Sequence, residues 1–500
     1  MSTFPDLLFC DTVVVAHGMK DPSQHEMLRR ALTSALVGVD VSVVAPSVPE
    51  YGTHHSKVFV LQYERGIRIV IHTANLVYPD FCNKAQSVFY QDFPLKTATE
   101  GEGDEGDNDN DNAAADDERP QNDFEAQLLS YVDHLSLPAA ATSQLKDVIS
   151  AHDYTYARGR LAVSVPSKPW GHKDGDYMAF GHHRVRKILQ EERAAAGFED
   201  WYDSAPVVAQ GSSLGSLSAR YIDDLKSSFA PGSSKDDVAL ELIWPTVSEV
   251  QHAIDGWFGG GSVCATSERV NKAVVREHLH KWGGEVTGRQ RALPHMKTYL
   301  RYARVGDKVR LPWVFLSSMN TSKAALGEAV NSKKYGAQLF RVLSFEMGIV
   351  LLPRYELAWR RSAWFGWSCT DPDASGRARA RAQRKPDAVQ FVQWSKSAAQ
   401  PAESATTPSP CYMDEGSTTL VVPIPLPFSL PPRPYPPASA TDTTPADGYQ
   451  DIPWSQPTEL ANVWHGKDIL GNLYPGRGSY QGLVQKGTSD SLWWEMFSSY

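Results

Sequence analysis

The chain has 500 residues, 42% of them hydrophobic, and a formal net charge of −9 at neutral pH. That length suits roughly two to three domains, with ample apolar material for sizeable cores. Five scattered cysteines without CxxC spacing exclude a disulfide scaffold and fit a reducing compartment, and no apolar run reaches the length a membrane-crossing helix needs. The start, MSTFPDLLFCDTVVVAHG, lacks the basic region of a signal peptide. Nine acidic residues and no basic ones fall within 101–118, so the rest of the chain is formally neutral. Such a run reads as a solvated, disordered loop, over about 98–122, and any affinity for a polyanion must come from a local basic groove.

In chain order, TVVVAHG reads as a strand, PSQHEMLRRALTSALVG as a helix, and VDVSVVAPSV, KVFVLQYE and GIRIVIHT as further strands rich in β-branched residues. DFEAQLLSYVDHLSL restarts order as an amphipathic helix after the acidic loop. A second set begins with the strand RGRLAVSVPS, the helix HHRVRKILQEERAAAG, and APVVAQGSSLGSLS, a strand entering a Ser/Gly loop. VFLSSMN, a helix over SKAALGEAV, and GIVLLP close it. Alternating strands and helices predict an α/β chain of two layered domains, 1–162 and 163–500. The second is expected to carry flexible insertions at about 370–416 and 435–449.

His-x-Lys with a downstream Asn occurs twice, 240 residues apart: His55, Lys57 and Asn75, then His295, Lys297 and Asn320. Gln86 and Glu346 follow. One His-x-Lys is a chance event; the duplication points to one site made of two related halves, suited to a phosphodiester. Residues i and i+2 of a strand share a face, so each His-Lys pair can meet the same phosphate. Fixed cations and amide donors (Lys57, Lys297, Asn75, Asn320) stabilise charge building on the equatorial oxygens. One imidazole can attack phosphorus, and the other can protonate the leaving oxygen and then activate water. A neutral Gln86 is expected to orient His55, which Lys57 also keeps neutral and nucleophilic. An anionic Glu346 is expected to orient His295 as general acid. His54 is out of phase with Lys57 and reads as structural. The pairs His182, His183 and His278, His280 lack supporting ligands and read as surface or core residues. No ligand spacing for a metal occurs near either motif.

YGTHHSK, RIVIHTANL, ALPHMKTYLR, the run Asn320 to Ala325 and SFEMGIVLLP together resemble the tyrosyl-DNA phosphodiesterase branch of the phospholipase D superfamily. The resemblance runs from about residue 12 to Trp454. Phospholipases of the superfamily place an Asp five residues after the Lys, where this chain has Gln62 and Tyr302. The resemblance implies two similar α-β-α layered domains related by a pseudo-two-fold axis, with the active site at their interface. It implies hydrolysis of the bond between a DNA 3′ phosphate and the tyrosine of a stalled type IB topoisomerase, and of other 3′-blocking adducts, without cofactor or metal. Another superfamily nuclease or phospholipase is the alternative, and an inactive DNA-binding scaffold a third reading.

The resemblance also implies DNA contacts at Tyr51, at Ser213, Leu214, Gly215 and Ser216, and at Ser322, with Arg269 or Lys272 as a basic contact. Read without it, the serine loop has a simple helix N-cap as its lesser alternative, and Tyr51 reads as a core residue. It sets DIPW, ending at Trp454, near the protein side of the substrate and TTLVVPIPLPF at the rim of the site. It also implies a nuclear monomer, since one chain holds both halves. The basic run 377–385 is a candidate localisation signal or DNA clamp. The family usually has more chain before the first strand, so an N-terminal strand is expected to be missing.

Overall fold

The computed structural model describes residues 5–96, 120–166, 171–172, 177–334, 336–362, 386–394, 411–414, 417–436, 451–456, 464 and 467–474. The acidic run 101–118, the basic run 377–385, most of the two expected insertions, and Trp493 and Trp494 lie outside them.

The first half opens with β1 (Thr12–Ala16), helix α1 (Pro22–Ala35) and β2 (Asp40–Val44), with β1 and β2 parallel. Asp21 caps α1 by accepting from the Ser23 N–H at 2.8 Å, and Pro22 occupies the first turn, where its missing N–H costs nothing. Strands β3 (Val58–Tyr63), β4 (Gly66–His72) and β6 (Val88–Pro94) form an antiparallel meander. Between β4 and β6 lie the short helix α2 (Tyr78–Asn83) and the two-residue strand β5 (Lys84–Ala85). Ile67, Ile69 and Ile71 alternate along β4 and are fully buried, the period-two signature of a one-sided strand. They pack on helix α3 (Phe124–His134) and on Val163, Met347 and Ile349, so one core cluster spans both halves.

The second half repeats the plan. β8 (Val207–Gln210), helix α6 (Ala219–Phe229) and β9 (Leu240–Trp244) give a parallel pair. β12 (Lys297–Arg301), β15 (Val314–Ser317) and β18 (Glu346–Leu351) form the antiparallel meander. Here β8 pairs with β12, so the elements fuse into a seven-stranded sheet, ordered β10-β9-β8-β12-β15-β18-β7, with β10 (Leu279–Lys281) and β7 (Gly159–Ser164) at its edges. Helix α5 (Gly181–Ala195) and α6 cover one face around the largest core cluster.

Two elements differ from expectation. The helix over SKAALGEAV stops after one turn, α7 (Lys323–Leu326). Gly327 at φ +89° turns the chain into a hairpin of β16 (Glu328–Ser332) and β17 (Ala337–Arg341). Within 370–416, expected to be flexible, residues Ala388–Gln393 form a strand, β19, parallel to β21 (Thr419–Ile424). β21 is the strand read from TTLVVPIPLPF; it lies in a separate five-stranded sheet that packs over Met296 and Leu300.

Candidate active site

Equivalent points of the repeat deliver equivalent side chains. Lys57 immediately precedes β3, and Lys297 is the first residue of β12. Asn75 and Asn320 each lie three residues beyond the following strand, β4 and β15. The residue between His and Lys points away: Ser56 accepts from the Tyr131 hydroxyl at 2.7 Å, and Met296 is buried against the five-stranded sheet. His54 turns to structure as well, with its ring beside Phe345 and Nε2 at 3.4 Å from the Tyr131 hydroxyl.

The halves are clasped crosswise. The His55 N–H donates to the Phe345 carbonyl at 2.9 Å, and its Nδ1 lies 2.9 Å from Oε2 of the next residue, Glu346. The His295 N–H donates to the Ala85 carbonyl at 3.0 Å, and its Nδ1 lies 3.3 Å from Nε2 of the next residue, Gln86. The pairing expected from sequence is therefore reversed: Glu346 serves His55 and Gln86 serves His295. The cause is tertiary, since each histidine's backbone is hydrogen-bonded to the other half. A hydroxyl two residues before each asparagine steadies the orienting group. Ser318 donates to Glu346 Oε2 at 2.5 Å, and Thr73 donates to Gln86 Oε1 at 2.7 Å. Neither hydroxyl was singled out in the sequence, although Thr73-x-Asn75 and Ser318-x-Asn320 share a spacing that period-two alternation makes meaningful.

Each lysine donates to the carbonyl of its own histidine, Lys57 to His55 at 2.8 Å and Lys297 to His295. Burial lowers the Lys57 pKa to about 8, with Glu346 and Asp80 pulling it back up. Burial, then Lys57, lowers the Lys297 pKa to about 7. Burial also lowers the pKa of both histidines. For His55, Glu346 opposes the shift and Lys57 adds to it; for His295, Lys297, Lys57, His55 and Lys84 all add to it. Burial thus disfavours charge on both imidazoles and both lysines, a cost that the negative charge of an incoming phosphate relieves, letting His295 take up the proton it later donates. As pH rises through about 7 to 8 the lysines lose their protons, and the anion loses its counter-charges. Substrate KM is expected to climb across that window in a pH series, and a flat KM up to pH 9 would contradict this account of the lysines.

The serine loop is built differently from the expectation. Asn320 Oδ1 accepts from the N–H groups of Ser212 and Ser213 at 3.0 and 2.9 Å, which fixes the amide's orientation. The N–H groups of Leu214 and Gly215 donate to Cys264 and Thr321. These four backbone donors are therefore spent within the protein, and Leu214, 3% exposed, is a core anchor rather than a DNA contact. Ser213 is part-exposed and Ser216 exposed, which leaves their hydroxyls as the groups to face a phosphate. Gly215 lets the loop touch Ser322: a Cβ there would stand 2.8 Å from Ser322 Cβ. Ser322 caps α7 by accepting from the Ala325 N–H, and it lies beside that loop. Arg269 and Lys272 line a surface cleft with Ser216 and Leu217. Tyr51 is 78% exposed at φ +62°, so it is not a core residue. Trp454 is 1% exposed, its indole N–H held by the Val263 carbonyl, which makes it core rather than a substrate contact. His182 and His183 are buried in the core too. Among the described residues no group of three or more His, Cys, Asp or Glu could hold a metal ion.

A family model described as tyrosyl-DNA phosphodiesterase matches residues 1–436. The chain belongs to the tyrosyl-DNA phosphodiesterase family. Among curated relatives, tyrosyl-DNA phosphodiesterase 1 of Arabidopsis thaliana is 28% identical over 491 residues, covering 95% of this chain and 69% of the relative. A probable tyrosyl-DNA phosphodiesterase of Caenorhabditis elegans is 30% identical, covering 62% of this chain and 65% of the relative. A solved structure of a yeast tyrosyl-DNA phosphodiesterase 1 mutant superposes with a TM-score of 0.51 at 16% identity, over 85% of this chain and 84% of that one, and so matches the fold. The architecture is phospholipase D-like, and Gln62 and Tyr302 stand five residues after Lys57 and Lys297.

Proposed function

We propose that this DNA-repair phosphodiesterase hydrolyses the 3′-phosphotyrosyl bond left by a stalled type IB topoisomerase, and related 3′ adducts, through a phosphohistidine on His55. The observation that carries this reading is the crosswise clasp, which brings both His-Lys-Asn sets to one site. Glu346 on Nδ1 keeps the proton there and turns the Nε2 lone pair to phosphorus. The same carboxylate then offsets the positive charge that the ring carries once it is phosphorylated. The His55–phosphorus bond forms as the bond to the tyrosine oxygen breaks, and His295 Nε2 gives that oxygen a proton. Water next attacks phosphorus, its proton passes to His295, and His55 leaves as neutral imidazole. A phenol of pKa about 10 leaves more readily than an alkoxide, which suits a tyrosyl adduct.

Lys57 and Lys297 take the part that a divalent cation plays in other phosphoryl-transfer sites. Turnover of a 3′-phosphotyrosyl oligonucleotide is therefore expected to be unchanged in millimolar EDTA; dependence on added magnesium would overturn that assignment. The same oligonucleotide run beside headgroup release from liposomes separates this reading from a lipid hydrolase. DNA is the inferred partner, through the Ser213 and Ser216 hydroxyls, Ser322 and Tyr51. A single chain supplies both halves of the site, so the working unit we infer is a monomer acting in the nucleus, where such adducts form.

A further inference from the structure

Asp80, in the first turn of α2, places Oδ2 3.3 Å from His295 Nδ1, with both side chains 8% exposed. Gln86 Nε2 lies at the same distance from the same nitrogen. The two contacts make opposite demands. The Gln86 amide is oriented by Thr73, which donates to Oε1, and by its own Nε2 donating to the Asp80 carbonyl at 3.1 Å. It therefore presents an N–H to Nδ1 and calls for a lone pair there, which puts the neutral ring's proton on Nε2. Asp80 calls for the proton on Nδ1. A ring that gives a proton from Nε2 to the leaving oxygen, then takes one from water at Nε2, must keep its other proton on Nδ1 throughout.

We propose that Asp80 is the positioning carboxylate that holds His295 in its Nδ1–H form and balances its imidazolium, so that each catalytic histidine has one acid of its own, Glu346 for His55 and Asp80 for His295. The surroundings leave that task to Asp80. Lys297, Lys57, His55 and Lys84 all oppose positive charge on His295, and Gln86 is neutral. The repeat has no counterpart: five residues after Asn75 stands Asp80, and five after Asn320 stands Ala325. A rival role is purely structural, since Asp80 Oδ2 also accepts from the Asn75 N–H at 2.8 Å. An amide oxygen preserves that contact and removes the charge.

The inference rests on the mechanism proposed above, and its test has a readout that does not need activity. Nitrogen NMR of 15N-histidine-labelled resting enzyme is expected to show His295 protonated on Nδ1, moving to Nε2 in Asp80→Asn. In that variant, turnover of a 3′-phosphotyrosyl oligonucleotide is expected to fall about 10–100-fold. First-turnover release of 4-nitrophenolate, which needs no proton, should stay within about threefold of wild type by the same reasoning. A proton on Nε2 in the wild-type ring overturns the proposal, as does equal loss with both leaving groups. If the variant fails to fold, the wild-type spectrum decides alone. Should the tyrosyl oligonucleotide not be cleaved by wild type at all, the proposed reaction falls while the tautomer measurement still judges Asp80.

Discussion

His295→Asn is expected to turn the enzyme into a trap for its own intermediate. First-step cleavage is slowed by loss of the acid, and release of the phosphohistidine by loss of the base that activates water. Each loss is worth about 10²–10⁴-fold. A 5′-labelled oligonucleotide should then run attached to the protein on a denaturing gel and persist for minutes to hours. His55→Ala should show neither turnover nor adduct, and His55→Ala combined with His295→Asn should match it. An adduct that forms in His55→Ala and vanishes when His295 is lost would reverse the two roles. Asn replaces His295 with a shorter polar group of modest bulk and leaves the Ala85 backbone contact in place, so the clasp survives the substitution.

Lys297→Met is expected to lower kcat by about 10²–10³, roughly 2.7–4 kcal/mol, the scale of losing one fixed donor at a developing oxyanion. The wild-type pH dependence carries a second signature. Burial depresses the Lys297 pKa to about 7, below its ordinary value. Between that value and the unfolded one, the unfolded chain binds more protons at this side chain, so its contribution to stability grows as pH rises through that window. Activity moves the other way, because the protonated form serves catalysis. Lys297→Met removes the ammonium that burial penalises, so from pH 6 to 9 its melting temperature should stand furthest above wild type at the acid end, and the gap should narrow as pH rises. Parallel curves would mean that the lysine is not held as a strained cation. Lys57→Met should show the same pattern more weakly, since its pKa, about 8, is less depressed.

Much of this site is legible in the sequence. The two His-x-Lys sets could be found because strand alternation makes an i, i+2 pair meaningful, and a repeat at matching points of two α/β halves rarely arises without a shared task. The partners of the two histidines were not legible. Gln86 lies 31 residues after His55, and Glu346 lies 51 after His295, so proximity in sequence suggested partners within a half. The chain instead seats Phe345 and Ala85 against the opposite histidine, a fact of how the sheets meet rather than of any local pattern. Asp80 was hidden for a different reason: an acid in the first turn of a helix has an ordinary explanation in the helix dipole, and nothing local separates that use from this one. In the Ser/Gly loop, family likeness drew attention to four consecutive positions together. Leu214 was an apolar residue among small polar ones, and such a residue usually marks where a loop is nailed to the core. Gly327 in turn hides inside a run of helix formers, and its left-handed backbone ends α7 after one turn.

The exchange of backbone contacts between the halves bears on how a bulky adduct is admitted. Bending at the seam would pull both imidazoles off their mounts at once, because each ring is anchored on the far side of the line that would open. Large protein remnants must therefore be accommodated at the mouth of the cleft while its floor stays still. Tolerance for adduct size should then be altered by trimming or rebuilding surface loops, with the chemical step keeping its speed on small adducts. Because each histidine takes its orienting group from the other half, an isolated half supplied with DNA should bind weakly and turn over nothing.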